Sequence, residues 1–148
     1  MKEIKKILVP VDFSENSCKV LDSAGTLAAK LGAELAVVFV VQNFDNYSGF
    51  FVPHVPLAQL EEEMVRNAEE KMQSFVKECL PGGTAVQTRV LSGDVAESIV
   101  EHAATTGVDM IVIGTHGYKG LERILFGSVA EKVVKTAACP VLTINPYR

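Results

Sequence analysis

Four glycines, Gly114, Gly117, Gly120 and Gly127, fall within fourteen residues of the stretch GTHGYKGLERILFGS, and Ser128 closes it. The stretch follows the apolar run VDMIVIG and leads into SVAEKVVKTAA, which has helical character. Each ordered glycine loses much conformational freedom, so a chain keeps several together only where the backbone must be bare. Thirteen residues separate Ile113 from Gly127, whereas a strand-to-helix connection usually takes about 2–6. A long glycine-rich loop can turn its N–H groups inward, and the helix start that follows adds more unpaired N–H groups and a partial positive charge. The chemistry such a loop offers is the binding of phosphate. Neither GxxxxGK[ST] nor GxGxxG after the first strand is present, which disfavours a P-loop NTPase and a typical dinucleotide enzyme. Ser128 with Glu131 also reads as a plain capping box, worth about 1 kcal/mol without any ligand. That reading leaves the upstream glycines unexplained.

Two more strand ends carry polar residues suited to a site. VPVDFSEN places Asp12 and Ser14 after the first apolar run, and LSGDVAES places Asp94 and Glu97 after the third. Each supplies a helix-start signal, with Asp12 or Ser14 as the first cap and Asp94 with Glu97 as another. Cys18, Cys79 and Cys139 are odd in number and widely spaced, with no CxxC, so the expectation is buried free thiols in a reducing compartment. His54, His102 and His116 are equally scattered, which argues against a metal site built from protein side chains.

The elements that must position these groups alternate along the chain. IKKILVPV, AELAVVFVV, TAVQTRVL, VDMIVIG and PVLTI read as strands. Between them lie helical periods: Cys18, Leu21, Ala24, Leu27, Ala28 and Leu31, stopped by Gly32, then a helix from Leu57 to about Leu80. Glu61, Glu62 and Glu63 are placed on the solvated side of that second helix. DVAESIVEHAATTG and SVAEKVVKTAA complete the set. Regular alternation with apolar strands predicts one α/β domain over residues 1–148, a mostly parallel sheet with helices on both faces. In such a sheet ligands collect at the carboxyl ends of the strands, where strand order reverses.

Composition narrows the partners. Of 148 residues 48% are hydrophobic, and the net charge is -4 with a pI near 5.4. That balance argues against nucleic acid, which usually meets a basic face. No apolar run reaches the ~18 residues of a membrane span, and Asp12 interrupts the first apolar stretch too early for a signal peptide. The expectation is a cytoplasmic protein.

The glycine stretch spells G-x2-G-x9-G-S through Gly114, Gly117, Gly127 and Ser128, and this resembles the nucleotide-binding signature of the universal stress protein family. The likeness covers essentially the whole chain: KKILVPVDFSENS, AVVFVV, VLSGDVAESIVEHA, GVDMIVIGTHG and CPVLTI resemble five family blocks in order. It implies a three-layer sandwich, Rossmann-like and similar to the adenine nucleotide alpha hydrolases, with an open five-stranded parallel sheet in the order 3-2-1-4-5. It also implies the branch that binds ATP or another adenine nucleotide, with Mg²⁺ arriving on the phosphates. By the same resemblance, Pro10, Val11 and Asp12 flank the base and ribose, and Val40 offers main-chain groups to adenine. Ile113 and Gly114 flank the ribose, Thr115, His116 and Gly117 begin the phosphate loop, and Gly127, Ser128 and Val129 face the β- and γ-phosphates. Bland readings stand beside some of these: Asp12 as a helix cap, Val40 as core, and His116, Lys119 and Arg123 as solvated loop residues.

Three functions are compatible with these residues. The leading one is a nucleotide-dependent regulatory or sensor protein in stress response, with at most slow hydrolysis. An ATPase or adenylyl-transferring enzyme is less favoured, because no triad or carboxylate pair is present beside His116, Lys119 and Arg123. A pure interaction protein without nucleotide is opposed by the intact glycine run. The apolar last strand invites edge pairing, and family likeness implies a homodimer through it. The segment NFDNYSGFFVPHVP holds four of the ten aromatic residues, Phe44, Tyr47, Phe50 and Phe51, and reads as a lid or a surface for an unidentified protein partner, or as a flap on its own domain.

Overall fold

The computed structural model of the chain describes residues 2–43, 57–82, 84–116 and 125–148. Strands and helices alternate along it: β1 Lys6–Pro10, α1 Glu15–Leu31, β2 Glu34–Gln42, α2 Leu57–Cys79, β3 Val86–Gly93, α3 Val95–Thr105, β4 Met110–Gly114, α4 Leu125–Thr136 and β5 Val141–Ile144. All neighbouring strands pair in parallel, in the order β3-β2-β1-β4-β5. This is the expected three-layer α/β sandwich and the expected order.

Successive residues of β1 point to opposite faces, and both faces are covered. Ile7, Val9 and Val11 enter a core with Val20, Leu21 and Ala24 of α1 and Met72 and Phe75 of α2. Leu8 enters a second core with Ile99 of α3 and Val133 of α4. A strand buried on both sides needs no polar alternation, which is why β1, β2 and β4 read as continuous apolar runs. Asp109, just before β4, accepts the N–H groups of Lys5 at 2.9 Å and Lys6 at 3.0 Å, pinning the start of β4 to the start of β1.

The helix ends follow local chemistry. Ser14 caps α1, its hydroxyl accepting the Ser17 N–H at 3.1 Å, and Gly32 ends the helix in the left-handed region with φ 65°. Asp94 caps α3 by accepting the Glu97 N–H at 3.1 Å. Gly25 sits inside α1, where glycine is worth about 1 kcal/mol less than alanine. Leu80, just after α2, comes so near that a Cβ on Gly25 would stand 3.0 Å from its Cδ2. The glycine lets the two helices approach closely.

Three expectations need correction. Helix α4 begins at Leu125, so Ser128 is its fourth residue and does not cap it, while Glu131 pairs one turn onward with Lys135 at 2.9 Å. The apolar spacing Leu125, Val129, Val133 carries the helical period back through Gly127, whose propensity cost is too small to stop it. Glu61 is half-buried and accepts the Ser92 hydroxyl, so of the three glutamates only Glu62 and Glu63 are fully on the exposed side of α2. Cys18 and Cys79 are joined in a disulfide across 61 positions, with Cα atoms 5.2 Å apart, and only Cys139 is a free thiol. The close packing that Gly25 permits brings α1 and α2 within bridging distance, and no sequence spacing announces that.

Candidate functional site

The chain passes from β1 through α1, β2 and α2 to β3 on one side, then through α3 to β4 on the other side of β1. The direction of winding therefore reverses between β1 and β4. The carboxyl ends of these two strands are Pro10 and Gly114, and β2 lies on the other flank of β1. A crevice at this place is where an open parallel sheet receives its ligand.

Pro10 and Val11 are buried, and the Val11 N–H donates to Val38 O at 2.9 Å, extending the pairing with β2 one residue beyond the strand. Asp12 follows, half-buried, and its Oδ1 is fully engaged. It accepts the Ser14 N–H at 3.0 Å, the Ser14 hydroxyl at 2.5 Å and the Ser17 hydroxyl at 2.6 Å. The Asp12 N–H donates to Ser17 Oγ at 3.0 Å. None of these bonds uses Oδ2. Ser14 rather than Asp12 is therefore the helix cap, and Asp12 holds the turn before it through one carboxylate oxygen. Phe13 makes the turn possible by taking φ 65°, a left-handed conformation uncommon for a bulky side chain. Its ring stacks on Phe39 at 4.4 Å and meets the edge of Phe75 at 5.4 Å. Packing of that partly buried ring against the core offsets a backbone conformation that alone costs about 1–2 kcal/mol.

On the β4 side, Ile113 is fully buried in the α3/α4 core and Gly114 is buried beside it. The Thr115 N–H donates to Ile144 O at 2.9 Å, and its hydroxyl lies 2.8 Å from His116 Nδ1. The His116 ring meets the edge of Tyr147 at 5.0 Å, and the Tyr147 hydroxyl accepts from Asn16 Nδ2 at 3.0 Å. The end of the chain therefore returns to the carboxyl edge of the sheet and links β4 to the first turn of α1. His116 is held on two sides, contrary to the reading of a merely solvated residue. Val40 is buried on the α3/α4 side of β2, which satisfies the core reading.

Gly117 and Gly120, with Lys119 and Arg123, lie outside the described residues, as does the aromatic segment from Phe44 to Phe51. Gly127, Ser128 and Val129 lie in the first turns of α4, with Ser128 exposed and Val129 packed against the second core. Gly127 is the third residue of this helix, in the turn where main-chain N–H groups lack helical acceptors. Sequence reasoning missed Phe13, Ser17, Asn16 and Tyr147. Aspartate followed two residues later by serine is an Asx-turn signal that could have found part of the Asp12 network. Asn16 and Tyr147, 131 positions apart, carried none.

No group of three or more His, Cys, Asp or Glu side chains is placed to hold a metal ion among the described residues. Likewise no described helix is long and apolar enough to cross a membrane. Away from the crevice, burial holds the His102 imidazole below its usual range, helped by the positive charges of Arg89 and Lys6. A histidine whose folded pKa is depressed binds fewer protons folded than unfolded, so its stabilising contribution is lost as the pH falls. Urea midpoints are expected to drop as the pH falls through the ordinary histidine range of about 6.5 toward the lower folded value, and His102→Gln is expected to flatten that slope. An unchanged slope in the variant would remove His102 as its source.

The Universal stress protein family model matches residues 3–145. The universal stress protein MJ0531 of Methanocaldococcus jannaschii is 37% identical over 142 residues, covering 95% of this chain and 82% of that protein. The solved structure of MJ0577 from the same organism superposes with a TM-score of 0.77 at 31% identity, covering 97% of each chain. A universal stress protein from Archaeoglobus fulgidus, solved in complex with dAMP, shares the fold with a TM-score of 0.59 at 24% identity, covering 97% of this chain and 100% of that one. With the predicted strand order and the Asp12 turn in place, these matches settle kinship: the chain belongs to the universal stress protein family.

Proposed function

We propose that this chain is an ATP-binding regulatory protein of stress response, a single domain over residues 1–148 that binds an adenine nucleotide at the crevice between β1 and β4. The observation that carries the reading is Asp12, held at the switch point by three hydrogen bonds to Oδ1 with Oδ2 outside that network. A rigid carboxylate beside a strand end suits a ribose hydroxyl or a base edge. Pro10, Val11, Val40, Ile113 and Gly114 supply the main chain and apolar walls around base and ribose. Thr115, His116 and Gly117 lead toward the phosphates, and Gly127, Ser128 and Val129 supply the start of α4 as their anchor. That a distant family member was solved with dAMP supports an adenine ligand. Mg²⁺ would come with the phosphates, since no cluster of carboxylates dedicated to it is present among the described residues. We assign binding rather than efficient turnover, in the cytoplasm where ATP is abundant.

A homodimer through β5 belongs to the same reading. β5 is the last strand in the sheet order, and Leu142 on it is 40% exposed, with Val134 of α4 51% exposed. An apolar sheet edge is a template for a second copy.

The test begins with the protein as purified. It is denatured, and any released nucleotide is identified by chromatography and mass spectrometry, after which ATP, ADP, AMP and cyclic AMP are titrated by calorimetry with Mg²⁺ present. Stoichiometric ATP, or roughly tenfold tighter binding of ATP than of AMP (about 1.4 kcal/mol), is expected. No released nucleotide and no binding heat would refute the assignment.

A further inference from the structure

The disulfide between Cys18 and Cys79 stands close to the turn that carries Asp12. Cys18 is the fourth residue of α1, and its N–H donates to Ser14 O at 3.1 Å. Ser14 and the adjacent Ser17 are the two residues that hold Asp12 Oδ1. Cys79 ends α2, and one turn earlier Phe75 touches the ring of Phe13. The last turn of α2 thus braces the Asp12 turn twice, once by the covalent bond and once by the Phe13–Phe75 contact. Removing the covalent brace leaves the Phe13–Phe75 contact as the link from the last turn of α2 to a segment whose Phe13 is already in an unfavourable backbone conformation.

The two cysteines differ in exposure. Cys79 is 7% exposed, whereas Cys18 is only half-buried. Cys139, the remaining cysteine, packs against the α3/α4 core on the other face of the sheet. It cannot replace either partner without crossing the sheet, and burial raises its thiol pKa, so it is a poor nucleophile.

We propose that Cys18–Cys79 is a site of reversible thiol–disulfide exchange with a small thiol or its disulfide, and that its state sets how firmly the Asp12 turn is held. In the reducing direction a small-molecule thiolate attacks Cys18 Sγ. The bond to Cys79 breaks, and Cys79 leaves as a thiolate that takes a proton from water. A second thiolate attacks the outer sulfur of the mixed disulfide on Cys18, releasing the small-molecule disulfide and a Cys18 thiolate that is protonated in turn. Two electrons pass from two thiols to the protein bond, and the reverse sequence, driven by the small-molecule disulfide, restores it. The consequence for nucleotide affinity rests on the function proposed above.

The experiment uses the full chain, with glutathione and glutathione disulfide as the exchanging pair. Alkylation under denaturing conditions, read by mass spectrometry, is expected to label one cysteine in the oxidised protein and all three in the reduced protein. Glutathione disulfide is expected to restore the bond through an adduct trapped at Cys18 in Cys79→Ser. Amide hydrogen exchange over residues 14–18 is expected to quicken on reduction, and MgATP affinity to weaken roughly fivefold or more. Cys139→Ser is expected to change none of these. Three labelled cysteines in protein treated with glutathione disulfide, or unchanged amide exchange between the two states, would overturn the proposal. If MgATP binds neither state while amide exchange still responds, the nucleotide assignment fails and the exchange site stands. If MgATP binds both states equally, the link between bond and site is refuted.

Discussion

Gly127→Asp is expected to lower MgATP affinity by about a hundredfold or more while the protein stays folded. Gly127 is the third residue of α4, in the turn that presents unpaired N–H groups and the positive end of the helix dipole. For the helix alone a carboxylate there is favourable by about 0.3–1 kcal/mol, and aspartate or alanine in place of glycine gains helix propensity. Stability is therefore expected to hold or rise slightly. For a bound triphosphate the same carboxylate is a like charge at close range. At an effective dielectric constant of about 20 and a separation of about 5 Å, repulsion from a single phosphate charge is roughly 3 kcal/mol. The electrostatic loss exceeds the helix gain, so binding falls while melting temperature does not. Gly127→Ala separates charge from size. If alanine binds and aspartate does not, repulsion is responsible, and if neither binds, the backbone must approach the ligand without a side chain. Calorimetry and thermal melts on the same samples decide, and wild-type affinity in the aspartate variant would sink the placement of the phosphates.

What could be read from the chain divides by the range of the interactions. Strands such as ILVPV and MIVIG announce themselves because burial on both faces demands unbroken apolar runs. The Asp94 cap of α3 was legible because a cap and the N–H donor it accepts lie within one turn. The switch point followed once strand order was known, and that order came from likeness to a family rather than from periodicity. The start of α4 was misplaced because a glycine and a serine look like a boundary, although the apolar spacing runs back through them to Leu125. Cys18–Cys79 and Asn16–Tyr147 were illegible for a different reason: each joins residues far apart in sequence, and only helix packing or the path of the tail brings them together. Asp12 is the instructive middle case: of the two cap candidates the sequence offered, Ser14 caps α1, and Asp12 accepts from the cap residue and from Ser17, a local network that the Asp-x-Ser spacing only partly announces.

Leu8→Ala is expected to destabilise the protein by about 3–4 kcal/mol, within the range of leucine truncations in well-packed cores. Leu8 is fully buried at the centre of β1, itself the middle strand of the sheet. It is in register with Ala36 on β2 and Ile111 on β4, and it packs in the core closed by α3 and α4. The size of the loss depends on whether neighbours can collapse into the space. Here they cannot do so easily, since β1 is hydrogen-bonded on both edges and Ala36 is too small to fill the gap. Of a stability that is typically about 5–15 kcal/mol, the loss is a large share. Leu8→Ile conserves volume and suits a strand, so its cost is expected to stay below about 1.5 kcal/mol. Urea unfolding reads both variants, with the midpoint moving and the slope constant if only the native core has changed. A loss below about 1 kcal/mol in the alanine variant would mean that the sheet relaxes around the cavity, and the rigid central strand that positions Asp12 would have to be reconsidered.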